Sequence, residues 1–268
     1  MYLEFFGLTD RPFRRTPDPA YLYAGEQHAE ALERLVYGAE QLDLTLLTGD
    51  VGTGKTLLTR ALADRLEDRG YRMGWIVHPR LSPAQLLRAV ASELGVERPP
   101  RNRRACVEAI YGRLEALRRA GERPVIVVDE AQLLPGRDAL EEIRLLTNFQ
   151  TDTANLLGLV LAGQPEIEAR LRRPAYRAVA QRIGLWCRLA PLDEGETARY
   201  LAHRVRVAGR TEPLFTEEGA AAVHRESGGL PRRVNAVAEA ALIEALGREA
   251  DPVGPECVEM GARSLLFH

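Results

Sequence analysis

The segment Gly49–Thr56, "GDVGTGKT", combines residue types that together bind phosphate groups. Gly49, Gly54, Lys55 and Thr56 satisfy the pattern G-x-x-x-x-G-K-[ST]. Glycines let a backbone curl until its N–H groups point inwards at phosphates, and the helix that follows adds its dipole. Lys55 is the only lysine in the chain, and its compact ammonium suits a narrow, backbone-lined site better than the planar guanidinium of arginine. The pattern predicts a nucleotide-binding loop in which Lys55 reaches the β- and γ-phosphates and the Thr56 hydroxyl ligates Mg²⁺.

A second segment, "VIVVDEAQ" (Val125–Gln132), places two acidic residues where a predicted buried strand ends. Ligands bind at this end of the strands in open α/β sheets. We expect Asp129 to hold Mg²⁺ through water, and Glu130 to orient and deprotonate the attacking water. The predicted nucleotide-binding residues are Gly49, Asp50, Val51, Gly52, Thr53, Gly54, Lys55, Thr56, Leu57 and Asp129, and the predicted metal ligands are Thr56 and Asp129.

The composition narrows the class of nucleotide and the compartment. Guanine-specific proteins read their base with an Asn-Lys-x-Asp motif, which needs a second lysine, so ATP is favoured. A net charge of −2 over 268 residues indicates no general affinity for nucleic acid or anionic lipid. The cysteines are odd in number and far apart, which favours a reducing compartment; they are Cys106, Cys187 and Cys257. Neither a signal peptide nor a membrane-spanning apolar run is evident, so we expect a cytoplasmic protein without a direct membrane span.

Apolar strands alternate with amphipathic helices up to Pro191, which predicts an α/β fold with a parallel sheet flanked by helices. One of these helices should begin with a capping box from Ser82 to Gln85, and another should run from about Arg137 to Thr151. After Pro191 the sequence predicts three helical segments and no strand. We therefore expect an α/β nucleotide-binding domain with an N-terminal linker at residues 1–190, and a small all-helical lid domain at residues 191–268.

The motifs, and the order in which they follow each other along the chain, resemble those of an AAA+ ATPase of the P-loop class. More narrowly, they resemble the ATPase region of the general secretion pathway protein A (ExeA-type) family. The resemblance covers essentially the whole chain. Transposition ATPases of the TnsC and TniB type share the phosphate loop and the acidic segment. The stretches that carry the resemblance are "MYLEFFGLTDRPFRRTPDPAYLY", "LTGDVGTGKT", "VIVVDEAQ", "EEIRLLTNFQTD", "LAGQPE", "AQRI" and "SGGLPRRVN".

The resemblance implies roles for residues outside the two motifs. Gln164 in "LAGQPE" resembles sensor 1, which touches the γ-phosphate or the attacking water, with Asn148 as a second choice. Arg182 in "AQRI" resembles the arginine finger, which completes the site of a neighbouring subunit. Arg173 and Arg177 compete for that role, because the segment around them is dense in arginines whose side chains we expect to be mostly solvated.

The lid and the N-terminal segment supply the remaining candidates. Arg232 in "GGLPRR" resembles sensor 2, which reaches from a lid helix over the nucleotide, and Arg233 is its neighbouring alternative. Tyr23 and His28 are loose candidates for packing near the adenine, although an ordinary place on a helix surface explains His28 equally well. The implied ligands are ATP and Mg²⁺.

An arginine finger acting on a neighbour implies a homo-oligomer, either a ring, expected to be a hexamer, or a filament. The resemblance implies ATP-driven assembly or remodelling of a secretion or pilus-type envelope machine through a protein partner. Members of that family continue into a membrane span and a periplasmic peptidoglycan-binding region, so we expect an excised ATPase domain or a stand-alone relative. The alternative is a DNA-binding regulator of transposition, with "ERPPRNRR" (Glu97–Arg104) contacting duplex DNA. In a chain this rich in arginine, a solvated loop explains that segment as well.

Overall fold

The computed structural model of the protein describes residues 2–14, 19–23 and 25–265. Residues 1 and 15–18, which belong to the N-terminal stretch quoted above, lie outside the described residues, as do residue 24 and the end of the predicted lid at residues 266–268. The chain forms two compact units. One comprises residues 30–49 and 58–189, and we call it the sheet unit. The other comprises residues 1–29, 50–57 and 190–268, and we call it the helical unit.

The described residues form five strands and twelve α-helices. The strands are β1 (Leu44–Gly49), β2 (Tyr71–Ile76), β3 (Arg123–Val128), β4 (Gly158–Gly163) and β5 (Ile183–Leu189). The helices are α1 (Tyr2–Phe5), α2 (Glu26–Gln41), α3 (Lys55–Leu66), α4 (Pro83–Glu93), α5 (Arg103–Arg119), α6 (Gly136–Leu146), α7 (Pro165–Leu171), α8 (Arg177–Ala180), α9 (Glu194–Val207), α10 (Glu217–Ser227), α11 (Pro231–Gly247) and α12 (Pro255–Arg263).

The sheet unit is built on one parallel sheet with the strand order β2-β3-β4-β1-β5, which confirms the predicted fold class. The three inner strands β3, β4 and β1 are buried along their length except at Arg123. Their continuous apolar runs are the sequence signature of strands covered on both faces. Because all strands are parallel, the carboxyl ends of β1, β3 and β4 lie along one edge of the sheet. Gly49, Asp129 and Gln164 stand at or directly after those three ends.

Two helices of the sheet unit test the predicted boundaries. Helix α4 begins with the predicted capping box, in which Ser82 and Gln85 exchange backbone-to-side-chain hydrogen bonds. Helix α6 ends at Leu146, so the prediction that it continues to Thr151 was wrong. The helix ends there because the amides of residues 147–149 donate to carbonyls three residues back, and the Thr147 hydroxyl donates to the Arg144 carbonyl at 2.7 Å, so these local bonds replace the bonding pattern of the α-helix.

The helical unit contains four helices after Pro191, α9 to α12, where the sequence predicted three. Helix α12 was missed because its buried face is short, comprising Cys257, Val258 and Gly261. A Cβ atom on Gly261 would lie 2.7 Å from the carbonyl carbon of Ala240, so this glycine allows the close packing of α12 on α11. The predicted domain boundary at residue 190 remains a prediction, and the helical unit also includes residues 1–29 and 50–57.

The N-terminal segment forms part of the core of the helical unit. Phe6 and Phe13 are almost fully buried among apolar side chains of α9, α10 and α11. Arg204 of α9, only 5% exposed, donates to the Pro12 carbonyl, and its guanidinium carbon lies 4.8 Å from the ring centroid of Tyr21. The Thr9 amide donates to the Ala208 carbonyl at 2.8 Å. Residues separated by most of the chain therefore share one core.

Candidate active site

The loop from Asp50 to Gly54 leaves the end of β1 and enters α3 at Lys55, the strand–loop–helix context that the motif requires. Lys55 is 7% exposed, and its Nζ atom donates to the Asp50 carbonyl at 2.9 Å. The amide and the hydroxyl of Thr53 donate to the same carbonyl, at 3.3 and 2.9 Å. The loop is thus closed on itself around the carbonyl of Asp50, with Thr56 exposed on the first turn of α3.

Two glycines allow this loop its shape. Gly52 and Gly54 have φ angles of 88° and 101°, which residues with a side chain rarely adopt. A Cβ atom on Gly52 would lie 2.6 Å from the Cβ of Arg232, and one on Gly54 would lie 3.3 Å from Nε2 of His28. Both positions therefore require glycine for two reasons, the backbone conformation and the space available.

Two carbonyls of the loop accept hydrogen bonds from residues of the helical unit that lie in the first turns of two helices. The backbone amide of Arg232, in the first turn of α11, donates to the Gly52 carbonyl at 3.2 Å. The Nε2 atom of His28, in the first turn of α2, lies 2.9 Å from the Thr53 carbonyl oxygen. The predicted sensor 2 residue is therefore next to the phosphate loop, and its guanidinium is exposed. The sequence predicted His28 only near the adenine and predicted no contact of this residue with the loop.

In the sheet unit, Asp129 and Glu130 follow β3 directly and both are half-buried. The Glu130 amide donates to Oδ1 of Asp129 at 2.8 Å. Glu130 has a left-handed backbone, with φ 52° and ψ 39°, which is uncommon outside glycine, asparagine and aspartate. Glu130 is a candidate catalytic residue, and backbone strain is often found at such positions.

Two side-chain amides hold the carboxylate of Glu130. The Nε2 atoms of Gln132 and Gln164 donate to Oε2 of Glu130 at 2.5 and 3.3 Å. The side-chain oxygen of Gln132 also accepts from the backbone amide of Gln164 at 3.1 Å. The three residues therefore form one cluster at the ends of β3 and β4. The structure thus brings together Glu130 and the predicted sensor 1 residue. It adds Gln132, the last residue of the segment "VIVVDEAQ", for which the sequence predicted no role.

Arg170 of α7 supports the turn that carries this cluster. Its guanidinium donates to three backbone carbonyls at 3.0, 2.8 and 2.9 Å, those of Gln132, Leu134 and Gly136. The expectation that arginines of this segment are mostly solvated therefore does not apply to Arg170, which is a structural residue. The sequence does not predict this role of Arg170, because its contact with the turn after β3 depends on how α7 packs in the fold.

The arginine-finger candidates are all exposed, as a residue that acts on a neighbouring molecule must be. Arg182 donates to Oδ1 of Asn148 at 3.0 Å, so two residues singled out by the sequence are in contact. Asn148 is not part of the Glu130 cluster. Arg173 and Arg177, at the ends of a short turn before α8, make no side-chain hydrogen bond or ion pair with the described residues.

The remaining candidates, Tyr23 and Arg233, make contacts within the helical unit, as does His203. Tyr23 packs edge-on against Tyr200 with ring centroids 5.9 Å apart, and its hydroxyl accepts from Arg199. The buried part of His203 lies beside Tyr23, and burial, with the charge of Arg204, lowers the pKa of its imidazole. Arg233 donates to the Glu226 carbonyl at 3.3 Å, which binds the start of α11 to the end of α10.

The chemistry of the two predicted metal ligands, each taken by itself, suits Mg²⁺. Thr56 and Asp129 offer a hydroxyl and a carboxylate, the oxygen ligands that this hard cation prefers. Within the described ranges, no group of three or more His, Cys, Asp or Glu side chains is placed to hold a metal ion. Mg²⁺ at nucleotide sites needs only one or two protein ligands, because phosphates and water supply the rest.

Known proteins share parts of this sequence and this fold. The model of a family described as the AAA domain matches residues 40–171. General secretion pathway protein A of Aeromonas hydrophila is 42% identical over 254 residues, which cover 92% of this chain and 45% of that protein. The chain thus spans less than half the length of this relative.

Two solved structures of archaeal proteins share the fold. The ORC2 protein of Aeropyrum pernix, solved in ADPNP–ADP complexes, aligns with a TM-score of 0.68 at 18% identity, covering 96% of this chain and 72% of its own. The ORC1 protein of the same organism, solved in complex with DNA, aligns with a TM-score of 0.67 at 22% identity, covering 95% of this chain and 69% of its own. The chain thus contains an AAA domain in residues 40–171, shares its fold with these two structures, and is similar to general secretion pathway protein A over 92% of its length.

Proposed function

We propose that the protein binds Mg-ATP and hydrolyses it to ADP and phosphate within a homo-oligomer. The observation that carries this proposal is the fixed carboxylate of Glu130 at the sheet edge where β1 delivers the phosphate loop. A shaped loop alone would support nucleotide binding. An oriented carboxylate beside the amide of Gln164 adds the group that hydrolysis requires.

In this proposal each residue of the two motifs has a separate task. The loop amides and Lys55 bind the phosphates, while Thr56 and Asp129 hold Mg²⁺, which when bound neutralises phosphate charge. Glu130 takes the proton of the attacking water. Both amides donate to its Oε2 atom, and no described residue donates to Oε1, so that oxygen is left to accept from water. As sensor 1, Gln164 contacts the γ-phosphate or the attacking water.

Oligomerisation follows in this proposal from Arg182. Its exposed guanidinium is proposed to complete the site of a neighbouring subunit, where a further cation on the transferring phosphoryl group can raise the rate by orders of magnitude. Arg232 would act within its own subunit, as sensor 2. A ring, for which six subunits is the expected number, or a filament would satisfy this geometry.

For the biological role, we propose ATP-driven assembly or remodelling of a secretion or pilus-type envelope machine through a protein partner. The support is the identity of 42% to general secretion pathway protein A. No helix within the described residues has both the length and the apolar character needed to cross a membrane. We propose a cytoplasmic location, which fits three buried cysteines that carry free thiols.

A second candidate role is binding of duplex DNA, as in transposition regulators of the TnsC and TniB type. At the start of α5, Arg103 and Arg104 form ion pairs with Glu142 and Glu108. Arg98 and Arg101 are exposed and form no ion pair with any described residue. These two cations could contact phosphates without breaking an existing pair.

One experiment tests the activity, the oligomer and the second role together. Steady-state ATP turnover is measured for the wild type and for Lys55→Ala over a range of protein concentrations, with and without duplex DNA at two salt concentrations. We expect turnover by the wild type only, and specific activity that rises with protein concentration because sites form between subunits. Equal turnover by both proteins would contradict the site, and constant specific activity would contradict the oligomer. Stimulation by DNA that fades at high salt would favour the DNA role, and indifference to DNA would favour the protein partner.

A further inference from the structure

We propose that His28 is a positioning residue for nucleotide binding, which holds the peptide between Thr53 and Gly54 in the orientation that binds phosphate. This inference rests on the proposed ATP site. His28 is 6% exposed, in the first turn of α2, with Nε2 at 2.9 Å from the Thr53 carbonyl oxygen. A carbonyl can only accept, so the contact requires the proton on Nε2. No hydrogen-bond partner of Nδ1 lies within the described residues, so the bond to the loop is the polar contact of this buried ring.

The peptide that His28 holds is one whose direction matters. In a planar trans peptide the C=O and the N–H point in opposite directions. Fixing the carbonyl of Thr53 towards α2 therefore fixes the N–H of Gly54 towards the concave side of the loop, where phosphate oxygens would accept it.

Glycine makes this support necessary. Gly54 reaches a φ of 101° without a side chain, and a residue with this freedom can also rotate away from the phosphate-binding conformation. The imidazole packs directly on it, since a Cβ atom on Gly54 would lie 3.3 Å from Nε2 of His28. A loop that is ordered before the nucleotide arrives loses less conformational entropy on binding, so the affinity is higher.

The neighbouring peptide is held in a different way. The Gly52 carbonyl accepts from the backbone amide of Arg232 at 3.2 Å, a bond that survives most substitutions of that side chain. The bond to Thr53 depends on one side chain, that of His28. Substitution of His28 therefore removes one of these two bonds and leaves the sequence of the phosphate loop unchanged.

The test compares three variants. His28→Leu keeps the apolar bulk and removes the donor, whereas His28→Gln places an amide donor at about the position of Nε2. His203→Leu is the matched control, because His203 is a partly buried histidine of the same unit whose ring packs on Tyr23 and not on the loop. Binding of a fluorescent ATP analogue, kcat and KM are measured for each, together with thermal unfolding without nucleotide.

We expect His28→Leu to bind the analogue about tenfold more weakly, with kcat changed less than about threefold, as for the loss of one preorganised hydrogen bond. His28→Gln should bind within about threefold of the wild type, since it restores the donor. His203→Leu should lower the unfolding midpoint and leave affinity unchanged. Wild-type affinity in His28→Leu, equal losses in the Leu and Gln variants, or an equal loss in His203→Leu would each overturn the proposal.

A replacement variant and a comparison with Lys55→Ala distinguish the role of His28 from that of the ATP site. Should His28→Leu not fold, His28→Asn replaces it, because its shorter amide does not reach the Thr53 carbonyl, and the same losses are expected. Binding by the wild type that Lys55→Ala abolishes, together with unchanged binding by the His28 variants, would remove the role of His28 and keep the ATP site. Wild-type protein that binds no ATP analogue would overturn the ATP site itself and with it this inference.

Discussion

The phosphate loop and the acidic cluster are positioned by different means. The loop is held through its backbone, by a carbonyl that accepts from the Arg232 amide and another that accepts from His28. The cluster is held through side chains, with the amides of Gln132 and Gln164 on the carboxylate of Glu130. Where the backbone itself is to contact the ligand, side chains are excluded and glycine is needed. Where a side chain is the working part, its neighbours hold it directly.

Left-handed backbone conformations occur in both regions and show the same difference. Gly52 and Gly54 adopt them at little cost, because a glycine has no Cβ. Glu130 adopts one with a side chain, at a cost on the order of 1–2 kcal/mol. The bonds of its amide to Asp129 and of its carbonyl to the Leu133 amide help to offset that cost. The loop is therefore sensitive to added bulk, and the cluster is sensitive to loss of hydrogen bonds.

The largest effect should come from adding one methyl group to the loop. Gly52→Ala would place a Cβ atom 2.6 Å from that of Arg232, at a φ of 88° that alanine disfavours. We expect ATP affinity to fall about a hundredfold or more, since either the loop or the start of α11 must shift. Gly112→Ala is the matched control, because that glycine lies in α5 with nothing within 4 Å of an added Cβ. The control should bind ATP normally and be more stable by up to about 1 kcal/mol. Equal affinities, measured by titration calorimetry, would remove the steric account of the loop.

An intermediate effect should follow from removing one amide of the cluster. In Gln132→Leu, Glu130 keeps only the longer bond from Gln164, so its carboxylate is less well oriented. We expect kcat to fall about tenfold while ATP affinity stays within about threefold, because the change concerns the reacting water and not the phosphates. Gln41→Leu, an exposed substitution at the end of α2, provides the control and should leave both constants unchanged. Parallel losses of kcat and affinity would mean that Gln132 serves the fold and not the orientation of Glu130.

The smallest effect should be a pH dependence confined to the unit that carries the loop. Burial, reinforced by the charges of Arg204 and Arg206, lowers the pKa of His203 below its usual value. The unfolded chain then takes up this proton first as the pH falls below about 6.5, so the free energy of unfolding decreases towards acid. We expect amide hydrogen exchange in α9 to be faster, relative to intrinsic rates, at pH 5.5 than at pH 7.5. His203→Leu should flatten this dependence, and an unchanged slope in that variant would assign it to other groups.

The elements that depend on local sequence were predicted well. The phosphate loop, the parallel strands and the capping box at Ser82 each follow from a few neighbouring residues whose conformational preferences agree. Glu130 and Gln164 could be placed at strand ends in the same way. Their contact, like that of Arg182 with Asn148, depends on how the elements pack together.

The features that were missed depend on packing between distant segments. Gln132 and Arg170 are ordinary polar residues in the sequence, and only the turn they share shows that they support Glu130. Helix α12 buries a short face in a groove that α11 provides, so its own periodicity is weak. His28 was a loose candidate for packing near the adenine, but its contact with the loop depends on a fold that no local pattern encodes.

The burial of the N-terminal segment among the last helices has a consequence for how the chain acquires its structure. Thr9 and Ala208 are hydrogen-bonded although they are 199 residues apart, and Phe6 and Phe13 have no core until α9 to α11 exist. Closing so long a loop is entropically unfavourable unless the intervening chain is already compact. During synthesis on the ribosome, the sheet unit should therefore fold first, before the residues that bury Phe6 and Phe13 have been synthesised. Until then the nascent chain exposes an apolar, aromatic segment, to which we expect a chaperone to bind.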